Sequence, residues 1–205
     1  MSAIGVVLLA AGGSGRMGTP KQLLQFNGKP LVRHCTEVAL AAFQPVIAVV
    51  GASAAEVEAA LVGLPVQVVH NVRWEHGVGT SIQAGVRRAT ELDLEGVVLL
   101  PADQPLVTAE HLRGLRDKQR TSGKPIVASR YAGTVGVPVL FSRQYFPHLL
   151  RLEAAKGCKG VIMSNRQHTL LVDCQAAEFD IDTPDDYASL ASNDAASGRI
   201  RGEQE

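Results

Sequence analysis

The sequence predicts a doubly wound α/β fold with a mostly parallel sheet. Short apolar runs rich in Val, Ile and Leu recur along the chain, and stretches of amphipathic, helical character separate them. The runs are continuous rather than alternating, as in strands covered on both faces. With 205 residues, 46% of them hydrophobic, the chain suffices for one compact domain with a sizeable core.

Taken in order, Ile4–Ala10 reads as the first strand and enters a glycine-rich turn. Leu31–Ala42 is a helix, Val46–Val50 a strand, Ala54–Val62 a helix and Val66–His70 a strand. Thr80–Leu92 is a helix with Thr80 or Ser81 available as its cap, Val97–Pro101 a strand, Thr108–Ser122 a helix capped by Thr108, and Pro125–Ala128 a strand. Beyond residue 130 the pattern loosens into an irregular strand over Gly133–Phe141, a helix near Gln144–Leu152 and a strand near Thr169–Val172. Thr183-Pro184-Asp185-Asp186 reads as a helix start: Thr183 is the cap, Pro184 the first helical residue, and the two aspartates favour the positive end of the helix dipole. Residues 1–191 form the single domain expected, and 192–205 are polar, without apolar periodicity, and read as a flexible tail.

Composition excludes several classes. Lys plus Arg and Asp plus Glu number 20 each, so no broad basic face for nucleic acid is expected. Met-Ser-Ala-Ile leads straight into a strand without the marks of a signal peptide, and no apolar run reaches transmembrane length, which predicts a cytoplasmic protein without membrane association. Cys35, Cys158 and Cys174 are far apart, with no C-x-x-C pair, and the six histidines are scattered, so neither a disulfide framework nor a zinc site is indicated.

The turn after the first strand is the most informative segment. Gly12, Gly13, Gly15 and Gly18 allow sharp or left-handed backbone and bring N–H groups close to an anion, while Arg16 and Lys21 neutralise its charge. A nucleotide polyphosphate is the natural guest. Gly13–Gly18 also fits G-x-G-x-x-G, yet the second strand runs into Gly51-Ala-Ser rather than a ribose-binding acid, and Pro20 delays the helix. A Walker loop needs a hydroxyl after Gly28-Lys29, where Pro30 stands, and a nucleophile elbow needs glycine where Arg16 stands.

Ligands on such sheets collect beyond the carboxyl ends of the strands. There Pro-Ala-Asp103-Gln-Pro places a carboxylate where a hard cation bridging phosphates could sit, or where an aspartate simply turns the chain. In Asp180-Ile-Asp182 the two carboxylates alternate around Ile181 to one side, making Asp180 or Asp182 a second metal candidate, whereas Asp185 and Asp186 read as structural.

Leu9-Ala-Ala-Gly12-x-x-x-Arg16-Met-Gly-x-x-Lys21, Leu-Pro-Ala-Asp103-Gln-Pro, Gly-Val-Pro138-Val-Leu-Phe and Asp180-Ile-Asp182-Thr-Pro-Asp-Asp resemble, in order and spacing, the molybdenum cofactor cytidylyltransferase branch of the nucleotidyltransferases, over about residues 4–190. The resemblance implies a three-layer, Rossmann-like nucleotidyltransferase fold and a Mg²⁺-dependent enzyme that transfers CMP from CTP to a phosphorylated acceptor, molybdopterin cofactor, with release of pyrophosphate. A molybdoenzyme or its chaperone is the implied protein partner. Carried over by position, Ala10, Ala11, Gly12, Gly13 and Gly15 hold the nucleotide, Arg16 and Lys21 its phosphates, Asn71, Gly79 and Ser81 lie around base and ribose, and Asp103 with Asp182 holds Mg²⁺. Arg16, Lys21 and Asp103 are the catalytic set. For Asn71 and Ser81 a turn residue and a helix cap are the competing readings.

Two departures fall in the half that should meet the acceptor. Ala154-Ala155-Lys156-Gly157-Cys158-Lys159 stands where the family often has Gly-Asp-x-Gly-Ala-Arg, and Val137 where it commonly has histidine. Lysine does not reproduce a bidentate arginine clamp. GTP in place of CTP, a sugar-phosphate acceptor, or a non-catalytic cofactor carrier are the alternatives this leaves.

Overall fold

The computed structural model describes residues 3–15 and 17–190; Arg16 and the tail expected at 192–205 lie outside them. Seven strands form the main sheet: β1 (Ile4–Ala10), β4 (Val46–Val50), β5 (Val66–His70), β6 (Gly96–Pro101), β7 (Ile126–Tyr131), β8 (Thr134–Ser142) and β9 (Thr169–Asp173). Gln25–Phe26 and Lys29–Pro30 are β2 and β3, a small antiparallel ribbon. The order across the main sheet is β5-β4-β1-β6-β8-β7-β9. All its pairings are parallel except the two made by β8, which runs against both β6 and β7. The sheet is therefore mostly parallel, and the carboxyl ends of β1, β4, β5, β6 and β7 share one rim.

Helices cover both faces, as the uninterrupted apolar strands require. On one face α1 (Leu31–Ala42), α2 (Ala54–Leu61) and α4 (Ala109–Ser122) pack with Val6, Leu8 and Ala10 of β1. On the other, α3 (Val78–Glu91), α5 (Phe146–Leu150) and α6 (Lys159–Ser164) pack with Val7 of β1, Ile47 and Val49 of β4, and Phe141 of β8. The two faces thus share β1 by alternation.

Nine of the elements coincide with the sequence expectation or differ from it by one residue at an end, and the larger differences have local causes. Strand β7 runs three residues further than expected, to Tyr131, because Ala132 and Gly133, both at positive φ, close a two-residue hairpin that keeps Tyr131 paired with Thr134. Helix α3 begins at Val78 rather than Thr80, with Gly77 at its N-cap and no side-chain cap. Thr80 and Ser81 are therefore not its caps: both hydroxyls accept from Asn71 Nδ2, at 2.8 and 2.9 Å. The helix expected near Gln144–Leu152 is a 3₁₀ turn at Arg143–Tyr145 followed by the short α5. Thr108 does cap α4, its hydroxyl accepting from His111 N–H. At the end of the described residues, 184–190 are helical, and Asp186 Oδ2 accepts from the Thr183 N–H and hydroxyl, a capping box that accounts structurally for Asp186.

Helix α3 lies close on the sheet because it carries Gly85. A Cβ there would crowd the Val7 methyls and come within 3.1 Å of Val49 Cγ2, both fully buried on stiff β-branched side chains. Gly85→Ala is expected to destabilise by about 1–3 kcal/mol through overpacking. Gly114→Ala in α4, where an added Cβ meets nothing within 4 Å, is expected to stabilise by about 0.5–1 kcal/mol. Urea denaturation of the two variants measures both.

Candidate active site

The chain leaves β1 at the shared rim, and residues 11–15 and 17–20 lie in a loop that leads to a 3₁₀ turn at Lys21–Leu23. Its glycines play different parts. Of the residues in question, Gly18 (φ 69°) takes the left-handed region, and Ser14 (φ 53°) does so in place of its neighbours Gly12, Gly13 and Gly15. What Gly13 provides is close approach: a Cβ would stand 2.7 Å from the Trp74 ring. Around Gly12 and Gly15 the space where a Cβ would project is open, which leaves the backbone accessible to a ligand.

Gln22, not singled out in the sequence, holds this loop. Buried at 3% exposure, it donates from Nε2 to the carbonyls of Ala10 (3.1 Å) and Gly12 (2.7 Å), and its Oε1 accepts from the Ser14 hydroxyl at 3.3 Å. Ser14 Oγ in turn accepts from the Lys21 N–H at 2.9 Å. One amide thus fixes both ends of the loop and the backbone of Lys21. Trp74 was also missed; it lines the cleft beside Gly12, packs on Gly13 and Gly51, and is the chain's single tryptophan, a signal that was available.

Lys21 meets two carboxylates from distant segments. Its Nζ lies 2.5 Å from Asp103 Oδ2, two residues beyond β6, and 3.1 Å from Asp182 Oδ1. Asp182 arrives there because Ile181, fully buried, donates its N–H to the Asp103 carbonyl at 3.1 Å. Burial alone pushes the Lys21 ammonium down, but the charges and hydrogen bonds of Asp103 and Asp182 outweigh it and hold the group above its ordinary value. Lys21 is therefore cationic throughout the neutral range. Asp180, raised by burial and by the nearby charges of Asp103 and Asp182, faces the same cluster without contacting Lys21.

Asn71 and Ser81 sit at the far side. The Asn71 side chain is spent on the turn: besides its two bonds to Thr80 and Ser81, its Oδ1 accepts from the Arg73 N–H at 3.0 Å. It shapes the approach to α3. Ser81 lines the cleft; Gly79, in the first turn of α3, donates its N–H to the Ala154 carbonyl at 2.9 Å. The segment that departs from the family pattern therefore rests on the edge of the site, and Lys159 within it donates to Thr134 Oγ1. Leu9, Ala11, Gly12, Lys21, Trp74, Ser81 and Asp103 are among the residues enclosing a cleft of about 260 Å³. The positive end of α3 opens onto it through Gly77 and Val78.

The donor chemistry fits a hard divalent cation. No group of three or more His, Cys, Asp or Glu able to cage a metal occurs among the described residues. Two carboxylates converging on one cation position are what Mg²⁺ uses when substrate phosphates complete its shell.

A loop with open space beside its backbone, next to a lysine shared by two carboxylates, suits a polyphosphate and a hard cation. Residues 6–170 match the MobA-like NTP transferase domain, and the chain belongs to that family. It is 30% identical over 194 residues to the purine catabolism protein PucB of Bacillus subtilis, a match covering 88% of this chain and 92% of PucB. It is 23% identical to the molybdenum cofactor cytidylyltransferase of Escherichia coli, over 91% of this chain and 95% of that one. The crystal structure of Rv0371c from Mycobacterium tuberculosis superposes with a TM-score of 0.76 at 37% identity, covering 94% of this chain and 99% of that one. A structure of Rv0371c with manganese gives 0.73 at 35% identity, covering 94% and 99%.

Gln22→Ala is expected to free the loop and leave the fold intact, because the lost bonds tie the 3₁₀ turn to the loop and to the last residue of β1 and none lies within the sheet. Nucleotide affinity measured by calorimetry should fall about 5- to 30-fold for the two to three hydrogen bonds lost, while the far-ultraviolet spectrum stays that of the unaltered protein.

Proposed function

We propose that this nucleotidyltransferase moves CMP from CTP to a phosphate group of an acceptor, molybdopterin cofactor, in a Mg²⁺-dependent reaction that releases pyrophosphate. The observation that carries the proposal is the convergence of Lys21, Asp103 and Asp182 at the lip of the residue 11–15 loop. The likeness to the E. coli cytidylyltransferase supports the nucleotide and the acceptor, and the manganese complex of Rv0371c supports a divalent metal. The product would pass in the cytoplasm to a molybdoenzyme or its chaperone.

An acceptor phosphate oxygen attacks the α-phosphorus of CTP, a new P–O bond forms, and the bond to the bridging oxygen of the β-phosphate breaks, that oxygen keeping the electron pair. An acceptor phosphate is already ionised, so no strong general base is required. Catalysis then rests on alignment and on charge stabilisation. The loop backbone from Ala10 to Gly15 and Arg16 bind the polyphosphate, and the Lys21 ammonium stabilises charge on the oxygens of the pentacoordinate phosphorus and on the leaving group. Asp103 and Asp182 would hold Mg²⁺, which supplies further neutralisation of the pyrophosphate. Ser81, Gly79 and the Asn71-shaped turn bound the ribose and base, and Trp74 shields the loop from water.

Lys21→Ala should lower turnover on the order of 10²–10³, the loss typical of one electrostatic contact in a preorganised site. Thermal stabilisation by CTP, GTP, ATP and UTP, each with and without Mg²⁺, selects the nucleotide, since a ligand bound only to the folded state raises its stability. A Mg²⁺-dependent shift with CTP that Asp103→Asn abolishes is the expected result. A shift with GTP alone reassigns the base. CTP turnover with a sugar phosphate and none with the pterin cofactor reassigns the acceptor, and no shift with any nucleotide favours a carrier over an enzyme.

A further inference from the structure

We propose that Lys21 is the resting counter-ion of the Asp103–Asp182 pair, so that a divalent metal gains these carboxylates only when a polyphosphate takes the ammonium away. Metal and nucleotide then enter as one unit. The inference rests on the reading of the site given above and adds the rule by which it fills.

Geometry supplies the argument. Lys21 Nζ contacts one oxygen of each carboxylate, and the side chains of Lys21, Asp103 and Asp182 are 18%, 19% and 31% exposed, so water screens the cluster incompletely. A dication approaching Asp103 and Asp182 meets a like charge already seated between them. A polyphosphate approaching alone brings its anion towards two carboxylates. When both come together the charges sort without conflict: the ammonium turns to phosphate oxygens, and the carboxylates turn to the metal.

The chain is built so that little else moves. The Lys21 N–H is held by Ser14 Oγ at 2.9 Å, and the next residue, Gln22, is bonded to the Ala10 and Gly12 carbonyls. Transfer of the ammonium from carboxylate to phosphate is therefore a change of Lys21 side-chain torsions above a fixed backbone. Its destination is close, because Gly12, Lys21 and Asp103 border the same cleft, and the backbone at Gly12 has open space beside it.

An unusual consequence separates this arrangement from a lysine that only binds phosphate. Removing a residue from a binding site ordinarily weakens every ligand, whereas removing Lys21 should strengthen binding of the metal alone. The coupling is reciprocal, so in the unaltered protein CTP should tighten metal binding and metal should tighten CTP by the same factor.

The test is titration of Mn²⁺, followed by the electron paramagnetic resonance signal of the free ion, with and without CTP and in parallel with GTP, each referred to the same nucleotide without protein. For the unaltered protein the nucleotide is expected to raise Mn²⁺ affinity about tenfold or more, within the usual range of coupling between two sites. Lys21→Met, which keeps most of the unbranched stem and loses the charge, should bind Mn²⁺ without nucleotide about tenfold more tightly than the unaltered protein, by the same coupling. Lys21→Arg should resemble the unaltered protein. Equal or weaker nucleotide-free binding by Lys21→Met, while the unaltered protein still shows nucleotide-dependent Mn²⁺ uptake, overturns the counter-ion role and leaves the proposed reaction standing. No Mn²⁺ uptake by any form, even with nucleotide, removes the carboxylate metal site and both readings with it. Melting curves of the unaltered protein give the same answer without a variant: Mn²⁺ alone should leave the midpoint in place, and a full shift with Mn²⁺ alone contradicts the proposal.

Discussion

The contact of Lys21 with Asp103 and Asp182 is the interaction on which the rest of the site depends. It joins three segments that lie 82 and 161 residues apart: the end of the glycine-rich loop, the exit from β6, and the chain after the last strand. Its energetic worth comes from incomplete burial. Deeper in the protein, desolvation of three ions would outweigh their attraction, and at the surface water and salt would screen it. At 18–31% exposure the ions hold each other while remaining within reach of a ligand.

The fold serves that contact by rigidity. β1 and β6 are neighbours in register, Leu8 beside Leu100 and Leu9 beside Pro101, so the loop leaving one and the aspartate leaving the other start from fixed, adjacent points. Val6–Leu8, Val46–Val50 and Val97–Leu99 are wholly buried between two helical layers, which leaves the rim little freedom. Gly85 lets α3 settle on β1 and β4, and its first turn thereby reaches the cleft beside Ser81. The functional groups sit on short connections, and the connections are short because the strands beneath them end together.

Much of this was legible in the residues. Ile4–Ala10, Val46–Val50 and Val66–His70 stand as expected because a strand buried on both faces has a continuous apolar signature, and Leu31–Ala42 because its apolar stripe repeats at helical spacing. The start of α3 was misplaced because the cap signal pointed to hydroxyls that Asn71 had claimed from nine and ten residues away. The glycine-rich turn was recognisable, but which of its residues takes positive φ was not: Ser14 does so because its hydroxyl is engaged by Lys21 and Gln22. Gln22 itself gave no pattern, since a buried amide in a 3₁₀ turn resembles any polar residue between a lysine and a leucine. Nor does spacing along the chain bring Asp182 to Asp103, which depends on Ile181 entering the core and donating to the Asp103 carbonyl.

A crystal structure with a non-hydrolysable CTP analogue and Mg²⁺ tests the central claim most directly. The account predicts the polyphosphate on the residue 11–15 loop, the metal between Asp103 and Asp182, and Lys21 Nζ turned from the carboxylates to phosphate oxygens. A nucleotide bound elsewhere on the molecule, or bound at this rim with Lys21 still paired to both aspartates and the metal held by other residues, would contradict it.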